Sequence, residues 1–175
     1  MQWHGWRIPL VLAAFLAGLL ILFGAQWLYN KYSFSQPLDR VLKADEAVES
    51  YTLEKNGAVL VIEARLREVP DLGAAYRRLR KSIQDVLGKR PFILKIKDRR
   101  DEELQRAFYN SQFALYEAQV RGNYREMIRS LEDETAKAQV SISVHLDQDN
   151  IYVQMKHGGS YLYEVIPRLA TPPRE

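Results

Sequence analysis

Residues 140–165, VSISVHLDQDNIYVQMKHGGSYLYEV, decide the fold of the C-terminal part of the chain. Apolar and polar residues alternate, and turn-forming clusters interrupt the alternation at 147–150 and at Gly158-Gly159, so the pattern predicts a three-stranded antiparallel meander. Reading both turns as hairpins aligns Ile142 with Met155 and Leu162, and Val144 with Val153 and Glu164. One face of this meander is therefore mostly apolar.

The opposite face of the meander is rich in tyrosine and is the best candidate binding surface. Its rows are Ser141, Lys156 and Tyr161, then Ser143, Gln154 and Tyr163, and then His145, Tyr152 and Val165. Aromatic rings beside a lysine can stack on bases or sugars, or can pack on a partner protein. The candidate residues are Lys156, Tyr161, Tyr163, Tyr152 and His145. The alternative is structural, because tyrosine suits strands and such a face can be half solvated or covered by a helix.

Residues 48–97 predict a hairpin followed by a strand–helix–strand crossover. Asn56-Gly57 is a strong hairpin signal, and a turn centred on it places Leu53 opposite Leu60 and Tyr51 opposite Ile62. Pro70-Asp71 ends the second strand and can cap a helix whose apolar residues recur at helical spacing until Gly88. A third strand over 91–97 then completes a crossover of ordinary length.

Two helices are predicted between the crossover and the meander, over about 101–120 and 124–135, and Gly122-Asn123 turns the chain between them. The first helix carries two apolar stripes, so it needs contacts over a wide arc. These stripes are Leu104, Phe108, Ser111 and Leu115, and Tyr109, Phe113, Tyr116 and Val120. The pair either caps the sheet or projects beyond it.

Residues 8–28, IPLVLAAFLAGLLILFGAQWL, contain no charged residue and are long enough to cross a bilayer core as one helix. Aromatic residues flank this segment where the headgroup layers would lie, namely Trp3, Trp6, Trp27, Tyr29 and Tyr32. A cleaved signal peptide is the alternative, but the apolar run is longer than a normal signal core, and Phe23-Gly24-Ala25 places a bulky ring where a cleavage site needs a small residue. We expect an uncleaved anchor with a cytoplasmic N-terminus and an extracytoplasmic domain.

Positive charge is concentrated in residues 77–100, which hold ten basic residues against Asp85 and Asp98. This basic window carries +8 although the whole chain carries only +3, so the charge is segregated. Four of its residues lie on the polar side of the predicted crossover helix: Arg77, Arg78, Arg80 and Lys81. They are candidates for binding anionic lipid, acidic wall polymer or nucleic acid. A solvated helix face explains the same placement.

The sequence offers no pattern that specifies a reaction. It has no cysteine, which removes disulfides, thiol nucleophiles and thiolate metal sites. Its motifs include no glycine-rich phosphate loop, no nucleophile elbow and no zinc-binding helix, and His145 and His157 have no acidic residue at ligand spacing. We therefore expect no enzyme, no metal and no cofactor.

These patterns together predict an α+β fold: one N-terminal transmembrane helix, then a small mixed sheet built from the hairpin, the βαβ unit, the helical pair and the meander. The expected organisation is a tail over 1–7, an anchor over 8–29, a linker over 30–47 with one helical turn near 38–42, an α+β domain over 48–168, and a tail over 169–175. The leading functional hypothesis is a single-pass protein whose non-enzymatic domain binds a protein in a membrane or cell-envelope assembly. The alternative is an anion-binding module that uses the basic window, with nucleic acid its least favoured ligand.

Overall fold

The computed structural model describes residues 7–30 and 35–168, with side chains in the first helix described from 11 to 25. The helices are α1 (Arg7–Asn30), α2 (Gln36–Ala44), α3 (Leu72–Leu87), α4 (Glu102–Arg121) and α5 (Tyr124–Lys137). The strands are β1 (Val48–Asn56), β2 (Val59–Leu66), β3 (Phe92–Lys97), β4 (Ser141–Leu146), β5 (Asn150–His157) and β6 (Ser160–Pro167). Residues 1–6 of the predicted N-terminal tail, the predicted C-terminal tail over 169–175, and the flanking Trp3, Trp6 and Tyr32 lie outside the described residues.

Helix α1 has 24 residues and is therefore about 36 Å long. Its described side chains are mostly apolar and exposed, as at Phe15, Leu20 and Phe23. Within the described residues, no helix is both long and apolar enough to cross a membrane. The predicted helix is thus present, whereas the structure does not support its transmembrane role, which stays a prediction.

The first sheet has the order β1-β2-β3. Its hairpin forms where predicted, but the register is shifted by two residues: Asn56 pairs with Val59, Leu53 with Ile62, and Tyr51 with Ala64. The two-residue loop is therefore Gly57-Ala58, with a positive φ of 61° at Gly57. A positive φ at the first loop position is typical of a type II′ turn, whereas the sequence analysis had placed Asn56 there.

The crossover is confirmed, because β3 pairs with β2 in parallel after α3. The Asp71 side chain caps α3 by accepting a hydrogen bond from the Ala74 N–H at 2.9 Å. Leu79 and Ile83 on the apolar stripe are fully buried against the sheet. The helix ends at Gly88, whose φ of 61° favours glycine.

The predicted helical pair caps the second sheet. Asp101 caps α4 through the Leu104 N–H at 2.9 Å, and Gly122 ends it in the left-handed region. Met127 and Leu131 of α5 are buried in the same cluster as Leu104 of α4. This cluster also contains the apolar face of the meander, so the helices cover that face.

The meander forms a second sheet, β4-β5-β6, with both predicted registers. Ile142 pairs with Met155, which pairs with Leu162, and Val144 pairs with Val153, which pairs with Glu164. Every row of the opposite face is likewise as predicted.

The single mixed sheet expected from the sequence is instead two three-stranded sheets joined at one short junction. An isolated bridge pairs Arg99 with Tyr161, and the Tyr161 N–H donates to the Arg99 carbonyl at 3.0 Å. One step further, the Tyr163 N–H donates to the Asp98 carboxylate at 2.8 Å. At this position a side-chain carboxylate, rather than the backbone carbonyl of a neighbouring strand, accepts the hydrogen bond from β6. The backbone pairing between the two sheets therefore ends here.

The region expected to be a linker contributes to the core. Helix α2 spans nine residues rather than one turn, and its Leu38 and Leu42 are fully buried beside α3. The Asp45 carboxylate at the end of α2 accepts two hydrogen bonds from Arg78, one from Nε and one from Nη2, each at 3.0 Å. Residues 36–45 therefore belong to the folded α+β unit.

Candidate functional site

The tyrosine-rich face of the meander packs inside the domain. Tyr152, Tyr161 and Tyr163 are all buried, in the core cluster that contains α3 and the first sheet. The Tyr161 and Tyr163 rings are tilted against each other with centroids 5.1 Å apart, and Tyr152 packs on Tyr76 of α3 at 5.8 Å. These side chains contact the rest of the domain rather than solvent, in agreement with the structural alternative.

The chain's own segment from Leu66 to Leu72 lies on this face and is held by side-chain hydrogen bonds. The Tyr163 hydroxyl accepts from the Val69 N–H at 2.8 Å, and the Tyr161 hydroxyl donates to the Leu66 carbonyl at 3.0 Å. The Gln154 amide donates to the Val69 carbonyl at 2.6 Å and accepts from the Leu72 N–H at 3.2 Å. The face thus binds an extended backbone, but that backbone is internal.

The tyrosine hydroxyls on this face act as neutral hydrogen-bonding groups. Burial raises the pKa of Tyr163 to about 12, and burial also raises the pKa of Tyr161. Both phenols therefore stay protonated at physiological pH and serve structure rather than proton transfer.

The remaining candidates of this face lie at its rim. Lys156 is exposed and forms an ion pair with Glu68. His145 lies exposed on β4. Both side chains are thus exposed, whereas the tyrosines of the same face are buried.

Asp147 organises a polar cluster that joins Arg77 to Tyr152. The Asp147 carboxylate accepts from the Tyr152 hydroxyl at 2.6 Å, from the Asn150 N–H at 2.8 Å and from Arg77 Nη1 at 3.2 Å. The Arg77 guanidinium also lies 5.6 Å from the centroid of the Tyr152 ring. Burial alone would raise the pKa of Asp147, but these hydrogen bonds outweigh it and hold the pKa at about 2.

We expect Asp147→Asn to lower the free energy of unfolding at pH 7 by about 2 kcal/mol. The pKa of Asp147 in the folded chain, about 2, lies below the ordinary value of 3.8. Its stabilisation is therefore complete above about pH 5 and is lost as the pH falls through about 4 towards 2. Denaturant unfolding at pH 7, 4 and 3 should show the two chains converging in acid.

Asp149→Asn is the matched control, because Asp149 lies exposed in the same turn and interacts there through its backbone. We expect Asp149→Asn to change the free energy of unfolding at pH 7 by less than about 0.5 kcal/mol. A constant difference between Asp147→Asn and the unmodified chain down to pH 3 would contradict the low pKa.

Two of the other three candidates on α3 also have partners. Arg78 pairs with Asp45, and the Arg80 guanidinium lies 5.4 Å from the centroid of the Phe92 ring. Lys81 is exposed and forms no ion pair with a described residue. Of the four basic residues on α3, Arg77, Arg78 and Arg80 therefore contact other residues of the domain.

Further along the basic window, acidic residues pair with several of the cations. Glu63 lies 3.4 Å from Lys95 and 3.7 Å from Lys97. Arg100 pairs with Asp98 at 2.6 Å and with Glu164 at 3.0 Å. The positive charge of the basic window is thus partly neutralised in three dimensions.

The second apolar stripe of α4 is a surface that the sequence analysis identified but expected to be covered. Its four residues are exposed: Tyr109 by 63%, Phe113 by 72%, Tyr116 by 54% and Val120 by 76%. The first stripe, in contrast, is buried at Leu104, Ser111 and Leu115. We refer to Tyr109, Phe113, Tyr116 and Val120 as the α4 stripe. It is the strongest candidate for an interaction surface.

The described part of the chain contains no cluster of three or more His, Cys, Asp or Glu that could hold a metal ion.

A cleft of about 430 Å³ lies between β3 and β6, lined by Tyr76, Phe92, Val165 and the Arg80 and Lys95 side chains. Comparison of the chain with protein-family models, with curated proteins and with solved structures finds no match.

Proposed function

We propose that the chain is a single-pass membrane protein, anchored through residues 8–29, whose non-enzymatic α+β domain binds protein through the α4 stripe. The support for the anchor is the uncharged segment over 8–28, which falls within the helix Arg7–Asn30. The proposed orientation, with the N-terminus cytoplasmic and the domain extracytoplasmic, follows from the basic residue before the first apolar run.

The observation that carries the binding role is the exposure of the α4 stripe. Three aromatic rings and a valine lie within a narrow arc of one helix, and an exposed apolar patch of this kind is often functional. Aromatic residues are also enriched at the centres of protein interfaces. The apolar residues on the other side of α4 are buried and pack the helix against the domain. The α4 stripe is therefore not needed for that packing.

The composition of the stripe's surroundings favours protein over lipid as the ligand. Neutral amides line one flank, namely Gln105, Gln112 and Gln119, whereas the other flank carries Arg106 and Glu117 with Asn110. A helix that lies on an anionic membrane surface usually carries Lys and Arg along its polar flanks. Beside the α4 stripe, Arg106 is paired with Glu102 and Glu103, and Arg121 is paired with Glu117, so the helix presents no run of unpaired basic residues there.

Site-specific photo-crosslinking in membranes tests this function. A photoreactive phenylalanine analogue replaces Phe113 in the full chain, and the cells are irradiated before membranes are collected and washed with alkaline carbonate. We expect the chain in the washed membrane fraction, with a protein adduct formed at position 113.

The same analogue at Ser130, exposed on α5, is the control and should form no adduct. Recovery of the chain in the wash would contradict the anchor. Absence of any adduct at position 113, with the chain folded and in the membrane, would contradict the binding role of α4.

A further inference from the structure

We propose that the occupant of the α4 stripe is a second copy of this chain, packed through α4 in antiparallel orientation about a twofold axis. This inference rests on the proposed function, because it names the partner of the same surface. A twofold pair uses the same patch on both copies, so the patch must complement itself.

The spacing of the stripe meets this condition. Its residues follow one another at intervals of four, three and four, which is the a/d repeat of helix pairs. The intervals read the same in both directions. In an antiparallel pair, Tyr109 of one copy therefore faces Val120 of the other, and Phe113 faces Tyr116.

The flanks of the stripe suit the same arrangement. Gln112 of one copy lies nearest Gln119 of the other, and amide side chains can donate and accept hydrogen bonds with each other. On the other flank, the charge of Glu117 is already neutralised by Arg121 at 2.5 Å. A second copy therefore brings no unpaired like charge to the centre of the contact.

The area is sufficient for a specific pair. From the usual surface of aromatic side chains and the exposure of these four residues, the stripe offers roughly 500 Å² on each copy. With both stripes fully covered, two copies would bury roughly 1,000 Å² together, the size at which specific interfaces begin. Anchoring in one membrane would raise the effective concentration of the two copies and so favour the pair.

Disulfide crosslinking tests the orientation directly, because the natural chain contains no cysteine. Full chains carrying Tyr109→Cys and Val120→Cys, with different tags, are co-expressed, and their membranes are treated with a mild oxidant. We expect a disulfide between the two different chains, since facing positions bring the Cα atoms within the reach of a disulfide, about 4.4–6.8 Å.

Each variant expressed alone should give little disulfide, because identical positions in an antiparallel pair lie about 16 Å apart along the axis. Phe113→Asp in both chains should lower the crosslinked fraction about tenfold or more, whereas Ser130→Asp should leave it unchanged. Crosslinking of each single variant with itself would overturn the antiparallel arrangement.

Absence of any crosslink would overturn the second copy as occupant. The photo-crosslinking at position 113 then separates the two failures. An adduct with a different protein would leave the proposed function standing, whereas no adduct at all would contradict both proposals.

Discussion

Met155→Asp should unfold the C-terminal half of the domain. Met155 lies on the central strand of the second sheet, is fully buried, and belongs to the core cluster that also contains Leu104 and Leu131. A carboxylate placed there has no cation among its apolar neighbours, so we expect a cost of about 4 kcal/mol or more. That is a large part of the stability of an ordinary domain. Denaturant unfolding of the full chain, followed by circular dichroism, measures it.

Lys156→Asp, one residue along, is the matched control. Lys156 points to the opposite side of the strand and is exposed, with Glu68 as its ion-pair partner. An exposed pair contributes little, so we expect a loss under about 1 kcal/mol. Similar losses in the two variants would contradict the assignment of the two faces.

The meander could be predicted in full because two short-range signals agree. Strict alternation fixes which residues share a face, and the turns at 147–150 and at Gly158-Gly159 fix the pairing. The single positive φ in the second turn, 55° at Gly158, is where a glycine is needed. No long-range information was required.

For the first hairpin, the same short-range signals do not determine the register. A turn on Asn56-Gly57 and a turn on Gly57-Ala58 differ by two residues in register, and both leave Leu53 and Ile62 on the same face. Alternation has a period of two, so it cannot distinguish these registers. Only the turn geometry decides, and it favours glycine at the first loop position.

The role of the tyrosine-rich face also could not be decided from the sequence. A tyrosine has an apolar ring and a polar hydroxyl, so it suits both an open binding face and an internal contact with backbone. The partner of this face is the segment Leu66–Leu72, and Tyr163 bonds Val69 from 94 residues away. Periodicity carries no information about such a contact.

The α4 stripe was found from its spacing, but its exposure was not predicted. Two apolar stripes on one helix indicate contacts on two sides, and a single chain does not say whether the second contact is internal. Burial of Ala107 and Ala118 with the first stripe, and exposure of Phe113, settle that the domain covers only one side.

The junction between the sheets depends on one acidic residue within the basic window. Asp98 is buried, and its carboxylate accepts from Arg100 Nε at 2.8 Å and Nη2 at 2.6 Å as well as from the Tyr163 N–H. Hydrogen bonding and ionic attraction to Asp98 raise the pKa of Arg100. From the sequence alone, Asp98 is only a minor offset to the window's charge, because its partner strand lies 65 residues further along the chain.

Asp98→Ala should therefore be strongly destabilising. The change leaves the Tyr163 N–H without its acceptor and leaves Arg100 with Glu164 alone, at the point where β6 meets the end of β3. Removing one partner of such a buried pair costs about 2–4 kcal/mol, because the groups left behind have lost water as well as their partner. Denaturant unfolding measures the loss, and hydrogen exchange at Tyr163 should rise with it.

Two further variants separate charge from hydrogen bonding at this junction. Asp98→Asn keeps an oxygen that can accept from the Tyr163 N–H but removes the charge that Arg100 pairs with, so we expect an intermediate loss. Asp85→Ala removes an exposed carboxylate from α3, in the same basic window, and should change stability by less than about 0.5 kcal/mol. Equal effects of Asp98→Ala and Asp85→Ala would mean that the two sheets hold together without this carboxylate, by the packing of their tyrosines on α3 alone.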